Sequence, residues 1–159
     1  GSAADSQFVT ENVKVQLELA EVSEERTPTV ARAAKFAQQY CYEYKDYLLT
    51  GLIVAGYDEQ HGGRVFNVPI GGAMLRQPFT MGGSGSVFIY GYCDANYRPG
   101  MSKEECVDFV QTAIAHAMAR DAASGGMIRL AIIDKDGVER RTHQGNQLPF
   151  SLDPPTKSS

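Results

Sequence analysis

The sequence predicts an α+β fold in which antiparallel sheet is covered by helices, and three observations carry that prediction. Helical and strand-like segments do not alternate as βαβ units; they run as two helices, a strand-rich stretch, further helices and a final hairpin. The strands are joined by short polar turns, as hairpins require. Each long helical pattern also opens on a Ser or Thr of the capping type.

The first helix is expected over residues 3–22, capped by Ser2 with Asp5 three positions on. Val9, Val13, Leu17 and Ala20 form one apolar stripe along it, and Phe8, Val15, Leu19 and Val22 form another. Two stripes imply contacts on two sides. The run Glu24-Glu25-Arg26-Thr27-Pro28 breaks the pattern, and a second helix opens at Pro28 or Thr29 with Val30, Ala34, Ala37, Cys41, Tyr44 and Leu48 on one face. Tyr40, Tyr42, Tyr44 and Tyr47 read as packing residues with wet hydroxyl tips. Residues 52–57 and 64–68 make a hairpin around a polar turn, and residues 73–81 a third extended segment. A short helix follows the glycine turn and ends near Tyr97. Ser102 and Glu105 then form a capping box for a long helix whose Val107, Val110, Ile114 and Met118 face one way. Residues 127–133 and 138–142 pair around Asp134-Lys135-Asp136-Gly137. The division expected is one domain over residues 1–148 and an extended C-terminal arm over 149–159, which carries two adjacent prolines.

The chain has 159 residues, 43% hydrophobic and 21% charged, enough for one domain with its own core. A net charge of −4, with no basic cluster larger than Arg140-Arg141, gives no footprint for nucleic acid or an anionic membrane. No apolar run reaches the length of a membrane span. Cys41, Cys93 and Cys106 match neither a zinc set nor a C-x-x-C pair; they read as buried free thiols of a reducing compartment, cytoplasm or nucleus. No metal and no cofactor is implied, and His61, His116 and His143 lack the spacing of a metal set or a paired base.

Three turns of small residues sit against patterned helices: residues 1–5, 82–86 and 121–126. Small residues at element ends let a backbone approach a ligand closely, and Ser and Asp side chains add hydrogen bonds. They read as the walls of a site. A serine-hydrolase elbow around Ser84, with Asp134 and His143, fails because Ser86 stands where that motif requires glycine and the parallel βαβ context is lacking.

Taken in order, Gly82-Gly83-Ser84-Gly85-Ser86, Tyr90-Gly91-Tyr92, Asp94-Ala95-Asn96-Tyr97, Met101-Ser102-Lys103-Glu104-Glu105, Arg120-Asp121, Ser124-Gly125-Gly126 and Ile128-Arg129-Leu130 resemble a β-subunit of the 20S proteasome, of the β1 type. Gly1-Ser2-Ala3-Ala4-Asp5, Cys41-Tyr42 and residues 51–58 extend the likeness, which runs to about Leu148. The resemblance implies the N-terminal nucleophile hydrolase fold, a four-layer αββα sandwich, here expected without its N-terminal strands. It implies a threonine-type endopeptidase whose N-terminal threonine hydroxyl is the nucleophile and whose α-amine is the base; that threonine is not in this sequence.

Residue by residue, Gly1 matches the oxyanion-hole glycine, Ala3 a residue that pairs with the substrate backbone, and Gln7 a position reaching into the first specificity pocket. Ser84 matches a serine hydrogen-bonded near the threonine amine, and Asp121 and Ser124 match the pair that orients it. The implied partners are other α and β subunits in stacked seven-membered rings and a peptide substrate, cut after acidic residues. A non-catalytic structural subunit of the β-ring is the alternative reading.

Overall fold

The computed structural model describes residues 1–144, so the expected C-terminal arm lies outside the described residues. The chain divides into two compact units, one built from residues 1–82 with 133–137 and the other from 83–132 with the stretch from 138.

The first unit holds α1 (Ala3–Glu24), α2 (Val30–Glu43), β1 (Leu52–Asp58), β2 (Gly62–Val68) and β3 (Leu75–Gln77). Ser2 caps α1, its hydroxyl accepting from Asp5 N at 3.4 Å, and Thr29 caps α2, accepting from Arg32 N at 3.2 Å. The three strands form an antiparallel sheet in the order β1-β2-β3, with Leu52 opposite Val68 and Val65 opposite Gln77. β3 is shorter than the extended segment expected, because Pro78 follows it and has no N–H to give a ladder.

The apolar face of α2 lies on this sheet. Val9, Ala37, Cys41 and Val68 form one buried cluster, and Val30, Ala34 and Phe66 another. Only one of the two α1 stripes is buried: Val9 and Ala20 are inside, whereas Phe8, Val15, Leu19 and Val22 are exposed. α2 stops at Glu43, five residues before Leu48, the last position of its predicted face, and its end tightens through Lys45 N to Tyr42 O and Tyr47 N to Tyr44 O. Leu48 still packs on the core. Tyr40 and Tyr44 pack with Phe8 in edge and stacked contacts, but Tyr47 is 85% exposed.

Asp58, at the end of β1, is buried and caps α2 from a distance in sequence. Its carboxylate accepts from Val30 N at 3.1 Å, His61 N at 2.9 Å and the His61 ring at 3.1 Å. Burial pushes this carboxyl up, but the Val30 and His61 bonds outweigh it and leave the group below its ordinary pKa.

The second unit contains a 3₁₀ turn (Ser84–Phe88), α3 (Tyr90–Asn96), α4 (Lys103–Arg120) and, apart from residues 133–137, the pair β4 (Met127–Asp134) and β5 (Gly137–Gln144). The capping box at Ser102 is complete: Ser102 Oγ accepts from Glu105 N, and Glu105 accepts from Ser102 N at 2.8 Å. Val107, Ala115, Met118, Ile128 and Leu130 form the core. The predicted stripe on α4 is buried only at its ends, since Val110 and Ile114 are more than a third exposed. Alanines at 113, 115 and 117 are buried instead; Ala115 belongs to that core, and Ala117 faces Gly85 of the 3₁₀ turn, which its small side chain lets come close. Cys41 and Cys93 are buried as expected, whereas Cys106 on α4 is exposed.

Candidate functional site

The turn at Gly1 is fastened to residues 44 and more positions away in sequence. Ser2 N donates to Leu49 O at 2.7 Å, and Leu49 N donates to the Asp5 carboxylate at 3.0 Å. Ser6 Oγ and Thr50 Oγ1 share a hydrogen bond of 2.8 Å, with Thr50 fully buried. Asp5 therefore does not close a capping box on Ser2; its carboxylate spans to the segment before β1. Gly1 lies so close to Leu49 O and Thr50 Cα that a Cβ there would overlap the backbone, so only glycine fits. Ala3 is exposed at the first position of α1. Gln7 is exposed too, but its amide donates to Glu11 of the same helix at 2.8 Å.

In the second unit, three of the expected site residues come together. Ser84 Oγ donates to Asp121 Oδ2 at 2.7 Å and Ser124 Oγ donates to the same oxygen at 2.6 Å. Asp121 Oδ1 accepts from Ala123 N at 3.1 Å. The carboxylate is itself fixed at the end of α4, where Asp121 N donates to Ala117 O at 2.8 Å. The Ser124 hydroxyl first, then the Ser84 hydroxyl and the Ala123 N–H, hold the Asp121 carboxyl below its ordinary pKa. It is therefore ionised at neutral pH and can only accept.

That fixes what the two serines can do. With its proton committed to Asp121, the exposed Ser84 oxygen presents lone pairs outward, suited to receive an N–H from an amine or ammonium. A carboxylate of depressed pKa is a poor base, so it does not activate Ser84 as a nucleophile. The elbow-type alternative gains nothing here either. Ser84 is bonded to a carboxylate rather than an imidazole, and His143 Nε2 is buried with no hydrogen-bond partner among the described residues.

Sequence reasoning missed Leu49 and Thr50 as the anchor of the first turn, and no local signal marks them. It also passed over Gly85, buried between Ser84 and Ser86, although the glycine stood inside a turn already singled out.

Comparison with known proteins assigns the family. The family described as "Proteasome subunit" matches residues 1–133. Proteasome subunit beta type-6 of Dictyostelium discoideum is 52% identical over 151 residues, covering 94% of this chain and 70% of that protein. Probable proteasome subunit beta type-1 of Schizosaccharomyces pombe is 50% identical over 141 residues, 89% of this chain and 62% of that one. Proteasome subunit beta type-9 of Homo sapiens is 50% identical over 153 residues, 96% and 69% respectively. The chain belongs to the proteasome subunit family, among its β-type subunits. Its α+β elements and antiparallel sheets are of the N-terminal nucleophile hydrolase class of that family. The chain spans between 62% and 70% of the length of these relatives.

Proposed function

We propose that this chain is the larger part of a catalytic β1-type subunit of the 20S proteasome core, a threonine-type endopeptidase that cuts polypeptides after acidic residues. The observation that carries the reading is the single carboxylate oxygen of Asp121 accepting both the Ser84 and the Ser124 hydroxyls. An N-terminal threonine works as a nucleophile only if its α-amine stays aimed at the hydroxyl and can take its proton. An acceptor-oriented serine beside that amine holds it in place, and a fixed ionised carboxylate keeps the serine oriented. In this reading the threonine is supplied by a segment ahead of Gly1. The Gly1 backbone N–H is the oxyanion donor, its position kept by the contact with Leu49 and Thr50. Ala3 pairs with the substrate backbone, and Gln7 borders the pocket for the residue before the cut.

The preference for acidic residues rests on the sequence likeness to the β1 type and on a relative named beta type-1. The proposed partners are the other α and β subunits of stacked seven-membered rings, in cytoplasm and nucleus. The exposed Phe8, Val15, Leu19 and Val22 of α1 offer apolar surface for a neighbouring subunit to cover.

The test uses the complete subunit assembled in its particle, with fluorogenic peptides carrying an acidic, a basic or an apolar residue before the cleaved bond. Asp121→Asn and Ser84→Ala are expected to lower kcat on the acidic peptide by about 10- to 100-fold, while the activities of neighbouring subunits on the other peptides persist. Unchanged turnover in both variants would contradict the catalytic reading and favour a structural subunit. Loss confined to the apolar peptide would contradict the acidic preference alone.

A further inference from the structure

Gly83 and Gly85 flank Ser84, and they are glycines for different reasons. Gly83 has φ of 93° and open space where a side chain would stand, so its backbone is what demands glycine. Gly85 has no positive φ. A Cβ built on it would lie 3.1 Å from Ala117 Cβ, 3.2 Å from Ser124 Oγ and 3.3 Å from Asp121 Oδ2. The constraint there is volume, and two of the three atoms that set it are the polar atoms of the candidate site.

From this geometry we infer that Gly85 is a positioning residue for the reaction proposed above, on which the inference rests: its missing side chain is the space in which Asp121 Oδ2 meets both serine hydroxyls. The three neighbours do not yield equally. Ala117 Cβ is attached directly to the backbone of α4 and cannot rotate away. Ser124 Oγ and Asp121 Oδ2 end rotatable side chains, so an added methyl displaces them first. Displacing either one lengthens the bonds of 2.6 and 2.7 Å that meet at Oδ2. Strain at Gly85 is thus relieved through the hydrogen bonds that orient Ser84, while the helix behind stays where it is. Sub-ångström misplacement of such a group acts on the chemical step and leaves substrate binding nearly untouched.

The test compares four variants of the complete subunit in the assembled particle: Gly85→Ala, Ser84→Ala, the two combined, and Gly85→Ala with Ala117→Gly. Gly85→Ala is expected to lower kcat about tenfold with KM within about twofold of the parent. The combined Gly85→Ala, Ser84→Ala variant is expected to be no slower than Ser84→Ala alone, since both changes remove one effect. Ala117→Gly, which opens the contact that cannot rotate, is expected to return part of the lost kcat. Full activity of Gly85→Ala, or losses that multiply in the combined variant, would overturn the inference while leaving the proposed function standing. If neither Gly85→Ala nor its Ala117→Gly partner assembles, the strain falls on the fold and not on the carboxylate, and the inference is overturned. A silent Ser84→Ala would instead remove the proposed function, and this inference with it.

Discussion

The turn at Gly1 in the first unit and the turn at Gly85 in the second are built by opposite means. In the first unit, Gly1 is pressed on the backbone of Leu49 and Thr50, and Gly72 on the backbone of Tyr42. Those contacts involve main chain on both sides, and a main chain packed on its neighbours cannot rotate out of the way. In the second unit, Gly85 meets two rotatable polar tips and one methyl, and the turn is held by hydrogen bonds among side chains at the surface. The first arrangement places a backbone N–H and lets nothing adjust. The second keeps a carboxylate and two hydroxyls in register through hydrogen bonds between rotatable side chains. In the function proposed above, the first arrangement suits an oxyanion donor and the second a network that orients an amine.

The largest expected effect comes from challenging the rigid side. Gly72 has φ of 77°, and a Cβ there would lie 2.5 Å from Tyr42 N and 2.6 Å from Tyr42 Cα. Gly72→Ala is strained twice over, in its dihedral and in its volume, and should cost about 3 kcal/mol. The thermal midpoint should fall by on the order of 10 °C. A shift of only a degree or two would show that the backbone contacts of the first unit can give, and the contrast between the units would disappear.

A smaller effect is expected at Thr50. It is buried at 1% exposure, and its hydroxyl meets Ser6 Oγ, which also bonds to Ser2 O at 2.9 Å. Thr50→Val keeps the shape and removes the hydroxyl, so Ser6 retains one partner. The loss should be about 1 kcal/mol in chemical denaturation. Faster hydrogen exchange at Ser2 N should accompany it, because the same segment holds the Gly1 turn. Unaltered exchange would separate Thr50 from that turn.

How much of this was legible in the sequence follows the range of each interaction. The caps at Ser2, Thr29 and Ser102 act across three residues, and their spacing announced them. Ser84, Asp121 and Ser124 were legible only through the likeness to a family, since 37 residues separate Ser84 from its carboxylate. The anchoring of Gly1 by Leu49 and Thr50 left no local trace, and neither did the bond from Leu49 N to the Asp5 carboxylate across 44 residues. Val110 and Ile114 were misjudged because periodicity counts apolar residues, whereas the close packing of α4 was set by alanines too small to weigh in that count. The exposure of Cys106 was missed because the expectation of burial came from the usual habit of free cysteines and took no account of its place on α4. Pro78, by contrast, could have shortened β3 on sequence grounds alone.

The smallest effect is electrostatic and distinguishes the units by salt. In the second unit Glu139 accepts from Arg141 at 2.6 Å and from Lys103 at 2.6 Å, and Arg141 also forks onto Glu104 at 2.9 and 3.1 Å. Arg141 first, then Lys103, lower the Glu139 pKa from 4.5 to about 2. A folded pKa below the unfolded one means that the clasp contributes in full above pH 4.5 and is lost as pH falls toward 2. Asp58 in the first unit has a lowered pKa too, and so loses its contribution in the same direction, but it is buried. Exposed pairs are screened by salt and buried ones much less. Unfolding midpoints measured from pH 7 down to pH 2 should therefore fall less steeply in Glu139→Gln than in the parent at low salt, and the two curves should converge at high salt. The fall attributable to Asp58, read from Asp58→Asn, should persist at both. If added salt leaves the Glu139 difference intact, the clasp is not the adjustable surface network that distinguishes the second unit from the first.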